Sequence, residues 1–181
     1  MRILESKGLV EITTHVGAKV VELQPNEYDE LYRIRERVEP LMLRLSIPNF
    51  KPEIKKEFSI LISKAEKAST VEEFLKYDRE FHLLTYQGAQ TKYLGNLIER
   101  MWNTTQPYRR AYTQKLEPEH FQSAHLEHLL LLNAINRNDL DEAERVLYGH
   151  IRRTRIELSR HFDLNSEYYL LTLRNNFFLL K

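Results

Sequence analysis

The sequence predicts an all-α protein: an antiparallel helical bundle of six to seven helices, preceded by a short β-hairpin. Three observations carry that prediction. From residue 26 to about 162, apolar side chains recur three and four positions apart, the period of an amphipathic helix. That stretch holds almost no glycine. Strand-like runs of β-branched residues occur only before residue 24.

Met1 to Lys7 read as a short helical piece stopped by Gly8, a residue suited to the position just past a helix end. Leu9-Val10-Glu11-Ile12 and Ala18 to Leu23 flank the polar connection Thr13-Thr14-His15-Val16-Gly17, which predicts a hairpin. Two strands alone are marginal in water, so the hairpin must pack on something else. Pro25-Asn26 marks a boundary, with Asn26 as N-cap and Asp29 in the first turn. Leu31, Ile34, Val38, Leu41, Met42 and Leu45 then follow helical spacing, and Pro40 within them predicts a kink or break. A second helix, from about Pro52 to Lys67, carries Phe58, Leu61, Ile62 and Ala65. Thr70 with Glu73 makes a capping box for a third, with Phe74, Tyr77, Phe81 and Leu84 as its stripe and Gly88 at its end. A fourth holds Tyr93, Leu94, Leu97, Ile98, Met101 and Trp102, after which Pro107 and Pro118 predict irregular stretches. A fifth, from about Gln122 to Asn136, carries Leu126, Leu129, Leu130 and Ala134. Asp139 with Glu142 caps a sixth, with Ala143, Val146, Leu147, Ile151 and Leu158. The apolar tail, Tyr168 to Lys181, reads as a last helix packed on the domain, with a dimer contact as the alternative.

The domain organisation that follows is 1–24, 26–165 and a C-terminal extension, 166–181. Composition narrows the function. The chain has 181 residues, enough for one domain and a fragment. Cysteine is absent, which excludes disulfides and thiolate metal sites and fits a cytoplasmic location. No apolar run is long enough to span a bilayer, and no signal-peptide pattern opens the chain, so no membrane partner is expected. A net charge of +1 leaves no global attraction to nucleic acid, so any DNA contact has to be local.

The chemistry lies in the histidines, of which there are seven. Asp78 and His82 are four apart on the third helix, so their side chains share one face beside its apolar stripe. His128 sits within the apolar register of the fifth helix, and His150 near Val146, Leu147 and Ile151 of the sixth. Taken singly, each is ordinarily a core residue or a surface pair. Taken together, three inward imidazoles and a carboxylate would each lose about 1–3 kcal/mol if left unsatisfied, and one shared cation removes that penalty. Such donors suit a divalent transition metal such as Zn or Ni rather than Ca or Mg. His125, one turn from His128, is a rival ligand. His125 nonetheless reads as solvated, as do His15, His120 and His161.

At these residues the sequence resembles a known family. Tyr77-Asp78-Arg79-Glu80-Phe81-His82 is similar to the "D-x-x-F-H" signature of the FCD ligand-binding domain in the FadR branch of the GntR family. Glu127-His128 with Ala134-Ile135 and Asp139 resembles the second signature, and His150 falls where the last metal-binding His is expected. Arg35, Val38, Glu39 and Pro40 resemble the opening helix. Gln90 departs from the Asn often found there. The resemblance covers about residues 28–160. It implies a metal held by Asp78, His82, His128 and His150, a small organic acid reaching that metal, and a homodimer behind a winged helix-turn-helix. The implied function is a metabolite-responsive transcription regulator, read as a repressor and not an enzyme. Arg35 either binds the effector carboxylate or pairs with Glu39.

The start of the chain resembles the same family. Arg2 to Val10 look like the end of a recognition helix entering the wing, and Gly17 with Val20 matches the wing's "G-x-x-V". On this reading the chain begins inside the recognition helix, through a misassigned start, a cut or a natural truncation, and lacks most of the helices that read bases. Lys7, Thr13, Thr14, His15 and Lys19 remain as weak phosphate contacts, and DNA is a partner of the full-length form. Two other classes stay open: a metal-dependent hydrolase or lyase acting on a small carboxylate, and a structural dimerisation module. Glu117 and His120 give one Glu-x-x-His of the two a di-iron enzyme needs, but Pro118 argues against regular helix there.

Overall fold

The computed structural model describes residues 1–15, 17–116 and 118–161. The expected tail helix, residues 168–181, lies outside the described residues, as does Glu117. Within them are seven α-helices, one 3-10 turn and one two-stranded sheet. Helix α1 (Arg2–Ser6) leads through Gly8 into strands β1 (Val10–Thr13) and β2 (Gly17–Val20), which pair antiparallel from Val10 with Val20 to Thr13 with Gly17. Gly8 has φ +72°, and a Cβ there would lie 2.7 Å from Thr104 Oγ1. Only glycine meets both demands.

The hairpin strands are almost wholly exposed, and the segment is held at its base. Thr104 Oγ1 donates to Gly8 O at 2.9 Å, Asn103 Nδ2 donates to Lys7 O at 3.0 Å, and Lys7 pairs with Glu99 at 2.6 Å. The Leu23 backbone N–H donates to the Tyr108 hydroxyl. All four bundle residues belong to one helix, α5 (Lys92–Thr113). The packing partner that the hairpin requires is therefore the helical domain.

Helix α2 (Pro25–Ser46) begins two residues earlier than Asn26 predicts. Gln24 and Glu27 form a reciprocal capping box, with the Gln24 N–H 2.7 Å from Glu27 Oε2, and Pro25 occupies a first-turn position where a missing N–H is harmless. No break occurs at Pro40. An interior proline costs roughly 3 kcal/mol. The same helix buries Tyr32, Met42, Leu43 and, just beyond it, Ile47, each giving about 1.5–3 kcal/mol, and this outweighs the loss. Pro107 lies inside α5 for the same reason, where Ile98, Met101, Trp102, Tyr108 and Tyr112 are buried. Helix α6 (Pro118–Asn136) starts at Pro118, so regular helix does include His120.

Helices α3 (Pro52–Glu66), α4 (Val71–Thr85) and α7 (Leu140–His161) complete the antiparallel bundle. Helix α2 packs along α7, α3 along α4, and α6 against α7 and α3. The expected caps form: Glu73 N–H donates to Thr70 Oγ1 at 3.1 Å, and Glu142 N–H to Asp139 Oδ1 at 3.1 Å. The return bond from Glu73 goes to the N–H of Ser69 rather than Thr70. Helix α6 corrects one expectation. Leu126, Leu129 and Leu130 are exposed, whereas His128, Leu131, Leu132 and Ile135 are buried. The run is apolar all round, so its period does not select a face.

Candidate metal centre

Helix α4 presents Asp78 and His82 to the bundle interior, one turn apart. Helix α6 adds His128 and helix α7 adds His150. All four are buried, and one ligand atom from each lies within 4.8 Å of all the others. His82 Nε2 and His128 Nε2 are 3.2 Å apart. Asp78 Oδ1 is 3.5 Å from His128 Nε2 and 3.8 Å from His82 Nε2. The His150 ring stacks on His82 with centroids 5.0 Å apart.

Groups around the cluster orient it. Arg109 donates to Asp78 Oδ2 at 2.7 Å, so the other carboxylate oxygen is left for the imidazoles. Glu127 Oε2 lies 2.6 Å from His150 Nδ1, which leaves Nε2 available. Glu127 is paired in turn with Arg153. A carboxylate on the far nitrogen of an imidazole fixes its tautomer and orientation.

Burial pushes all three imidazoles toward the neutral form. His128 falls to about 3 and His150 to about 4, and His82 lies well below its ordinary value. Burial works to raise Asp78, but Arg109, and after it the imidazoles, hold its carboxyl below the usual range. The result is a carboxylate and three neutral imidazoles, the protonation states metal ligation requires. His82 Nε2 and His128 Nε2, at 3.2 Å, can share at most one proton between them. A dication accepts both lone pairs, so the donor set fits a divalent transition metal.

A cleft of about 210 Å³ opens beside the cluster. Asp78, Arg109 and His150 line its inner end, and Phe74, Leu116 and Phe121 its walls.

Residues 30–153 match the FCD domain, a span that contains all four cluster residues. The chain belongs to that family. Its FCD domain has relatives among transcription regulators. It is 26% identical over 143 residues to the HTH-type transcriptional regulator McbR of Escherichia coli K12, covering 75% of this chain and 63% of McbR. It is 30% identical over 108 residues to the uncharacterized HTH-type transcriptional regulator YdhC of Bacillus subtilis 168, covering 56% of this chain and 47% of YdhC. The chain thus spans less than two thirds of either relative. The solved structure of E. coli McbR/YncC superposes with a TM-score of 0.80 at 21% identity, over 90% of this chain and 78% of that one. A GntR-family regulator from Pseudomonas syringae pv. tomato superposes at 0.68 with 24% identity, over 89% and 67%. These likenesses establish the fold.

The remaining candidates fall elsewhere in the FCD domain and its N-terminal segment. Arg35 is buried between the Tyr32 and Trp102 rings, with its guanidinium 4.6 and 4.4 Å from their centroids. It bonds Glu39 and Thr105 and does not line the cleft, so the Glu39 pairing is the contact present. His125 faces Glu66 at 3.5 Å, outside the cluster. Thr13, Thr14 and His15 are exposed at the hairpin end, Lys19 pairs with Glu22 at 3.1 Å, and Lys7 faces α5. His161 ends α7. Arg109 carries no sequence signal, Glu127 stands in the second signature without an assigned role, and His120 lines the cleft instead of standing in solvent. Among the described residues no helix is long and apolar enough to cross a membrane.

Proposed function

We propose that this FCD domain is the sensor half of a metabolite-responsive transcription regulator, a repressor that acts in the cytoplasm as a homodimer. Asp78, His82, His128 and His150 hold a divalent transition metal such as Zn or Ni, and a small organic acid enters the cleft beside it. The observation that carries this reading is the convergence of four buried donors within 4.8 Å. A bound dication supplies a Lewis-acid position that a carboxylate oxygen can occupy. Arg109 orients Asp78, Glu127 orients His150, and burial keeps water from competing for the imidazoles.

Binding without turnover fits the surroundings. Glu127 is engaged by His150 and Arg153, so it is not poised as a general base. The named relatives are transcription regulators. Leu126, Leu129 and Leu130 form an exposed apolar face on α6 of the kind that supports a homodimer. Helix α5 supplies a route outward: it carries Arg109 at the cleft and Glu99, Asn103, Thr104 and Tyr108 at the N-terminal segment. Where a DNA-binding head is present, a shift of α5 on ligand binding moves it, and Thr13, Thr14, His15 and Lys19 meet phosphate.

The test is calorimetric titration of zinc or nickel into untagged protein, beside the Asp78→Asn and His150→Ala variants, followed by incubation of the loaded protein with small carboxylates. The reading requires one metal per chain, a large loss of affinity in both variants, and carboxylates recovered unchanged. No metal binding, or conversion of a carboxylate, contradicts it.

A further inference from the structure

Arg109 has an unused edge. Its Nη2 donates to Asp78, and its ring-facing side stacks on Trp102, with the guanidinium 4.9 Å from the indole centroid. Its Nη1 is buried and makes no hydrogen bond. His120 Nδ1 is also buried without a partner, and both residues line the same cleft. More than nine in ten buried polar groups in folded proteins are paired, so two orphans around one cavity mark a place where a ligand completes the network. Arginine favours carboxylate and phosphate partners.

The rest of the cleft restricts what that ligand is. Phe74 and Phe121 meet edge to face, with centroids 4.9 Å apart, and Leu116 extends the apolar wall. At about 210 Å³ the space exceeds what a carboxylate alone fills. A dry cavity of about 150 Å³ already takes benzene. Three carboxylates, Asp78, Glu127 and Glu157, outnumber the two arginines of the lining, Arg109 and Arg153, so a second negative charge meets no uncompensated cation.

We propose that the cleft selects a monocarboxylate with a compact apolar body, the carboxylate held by Arg109 and His120 and the body packed against Phe74, Leu116 and Phe121. This narrows the organic acid of the sensor reading to one chemical class and rests on that reading for its biological use. The Arg109 contact itself requires no metal.

Calorimetry of phenylacetate against the full chain, with and without zinc, tests it, with acetate, citrate and phenylacetamide as comparators. Phenylacetate is expected to bind at least about 10-fold more tightly than any of the three, because each lacks the body, carries extra charge or lacks the anion. Arg109→Gln is expected to weaken phenylacetate by about 10- to 100-fold, the size of a lost charge-assisted hydrogen bond. Ala124→Trp places an indole in the space that phenylacetate would occupy, and is expected to abolish phenylacetate binding while zinc still binds. It decides the matter if the Arg109 variant does not fold. Equal affinity for acetate or citrate, or unchanged phenylacetate binding in Ala124→Trp, overturns the proposal. If zinc binds and phenylacetate does not, this inference falls and the metal centre stands. If phenylacetate binds and zinc does not, the metal centre falls and this inference stands.

Discussion

Arg109 and Asp78, on adjacent helices and 31 positions apart in sequence, share a buried hydrogen-bonded ion pair of 2.7 Å, and that pair fixes which carboxylate oxygen faces the three histidines. The guanidinium occupies Oδ2, and Oδ1 lies within 3.8 Å of both His82 Nε2 and His128 Nε2. The candidate metal centre is thus set by a residue that is not itself one of the four donors. The same residue lines the cleft and sits on the helix that holds the N-terminal segment.

Metal removal should lower thermal stability. A ligand at 100 times its dissociation constant stabilises the folded state by about 2.7 kcal/mol. For a chain of this size that corresponds to a melting temperature about 5–10 °C higher. Differential scanning calorimetry of zinc-loaded and chelator-treated protein checks this. His128→Ala should melt at the same temperature in both conditions.

The metal-free protein should lose stability as pH falls. His128 and His150 take up protons near 3 and 4 when folded, against an ordinary value of 6.5. Between those limits the unfolded chain binds more protons, so stability is complete above pH 6.5 and declines as pH drops toward 4. Each imidazole contributes up to about 1.4 kcal/mol per pH unit in that window. Urea denaturation from pH 7 to 4.5 measures the slope, and a flat profile would show that these imidazoles are not buried in neutral form.

Glu39 tests the role of Arg35. Its carboxylate is fully buried, bonded to Arg35 and, at 2.7 Å, to the Tyr86 hydroxyl. Glu39→Ala leaves the Arg35 charge uncompensated and is expected to cost about 3–5 kcal/mol in chemical denaturation. Zinc affinity per folded molecule should fall as well, because the uncompensated Arg35 charge lines a small cavity with His82 and His150 and acts on His150.

Gly8→Ala should loosen the N-terminal segment from α5. The added methyl meets Thr104 Oγ1 and forces a left-handed backbone on a residue with a Cβ, which costs about 1–2 kcal/mol. Amide exchange should rise across residues 9–13 and 17–21 while the centre retains zinc. Equal protection in both proteins would mean the α5 contacts do not hold the segment.

Much of this was legible beforehand. The Asp78–His82 spacing, the caps at Thr70 and Asp139 and the punctuation at Gly8 are local signals, and local signals survive folding. The four donors were readable because each lay in an apolar helical register. The roles of Arg109, Glu127 and His120 were not, since they depend on which helices become neighbours. Pro40 and Pro107 misled for a related reason: the penalty of a helical proline is local, while the burial that offsets it comes from other helices. Leu126, Leu129 and Leu130 misled because five leucines crowded into one stretch of α6 give no amphipathic contrast.

X-ray absorption on protein reconstituted with one equivalent of zinc addresses the central claim most directly. The account predicts a first shell of nitrogen and oxygen at about 2.0–2.2 Å with multiple-scattering features from three imidazoles, weakened or lost in His150→Ala. A shell with one or no imidazole, or a spectrum identical in the variant, would contradict it.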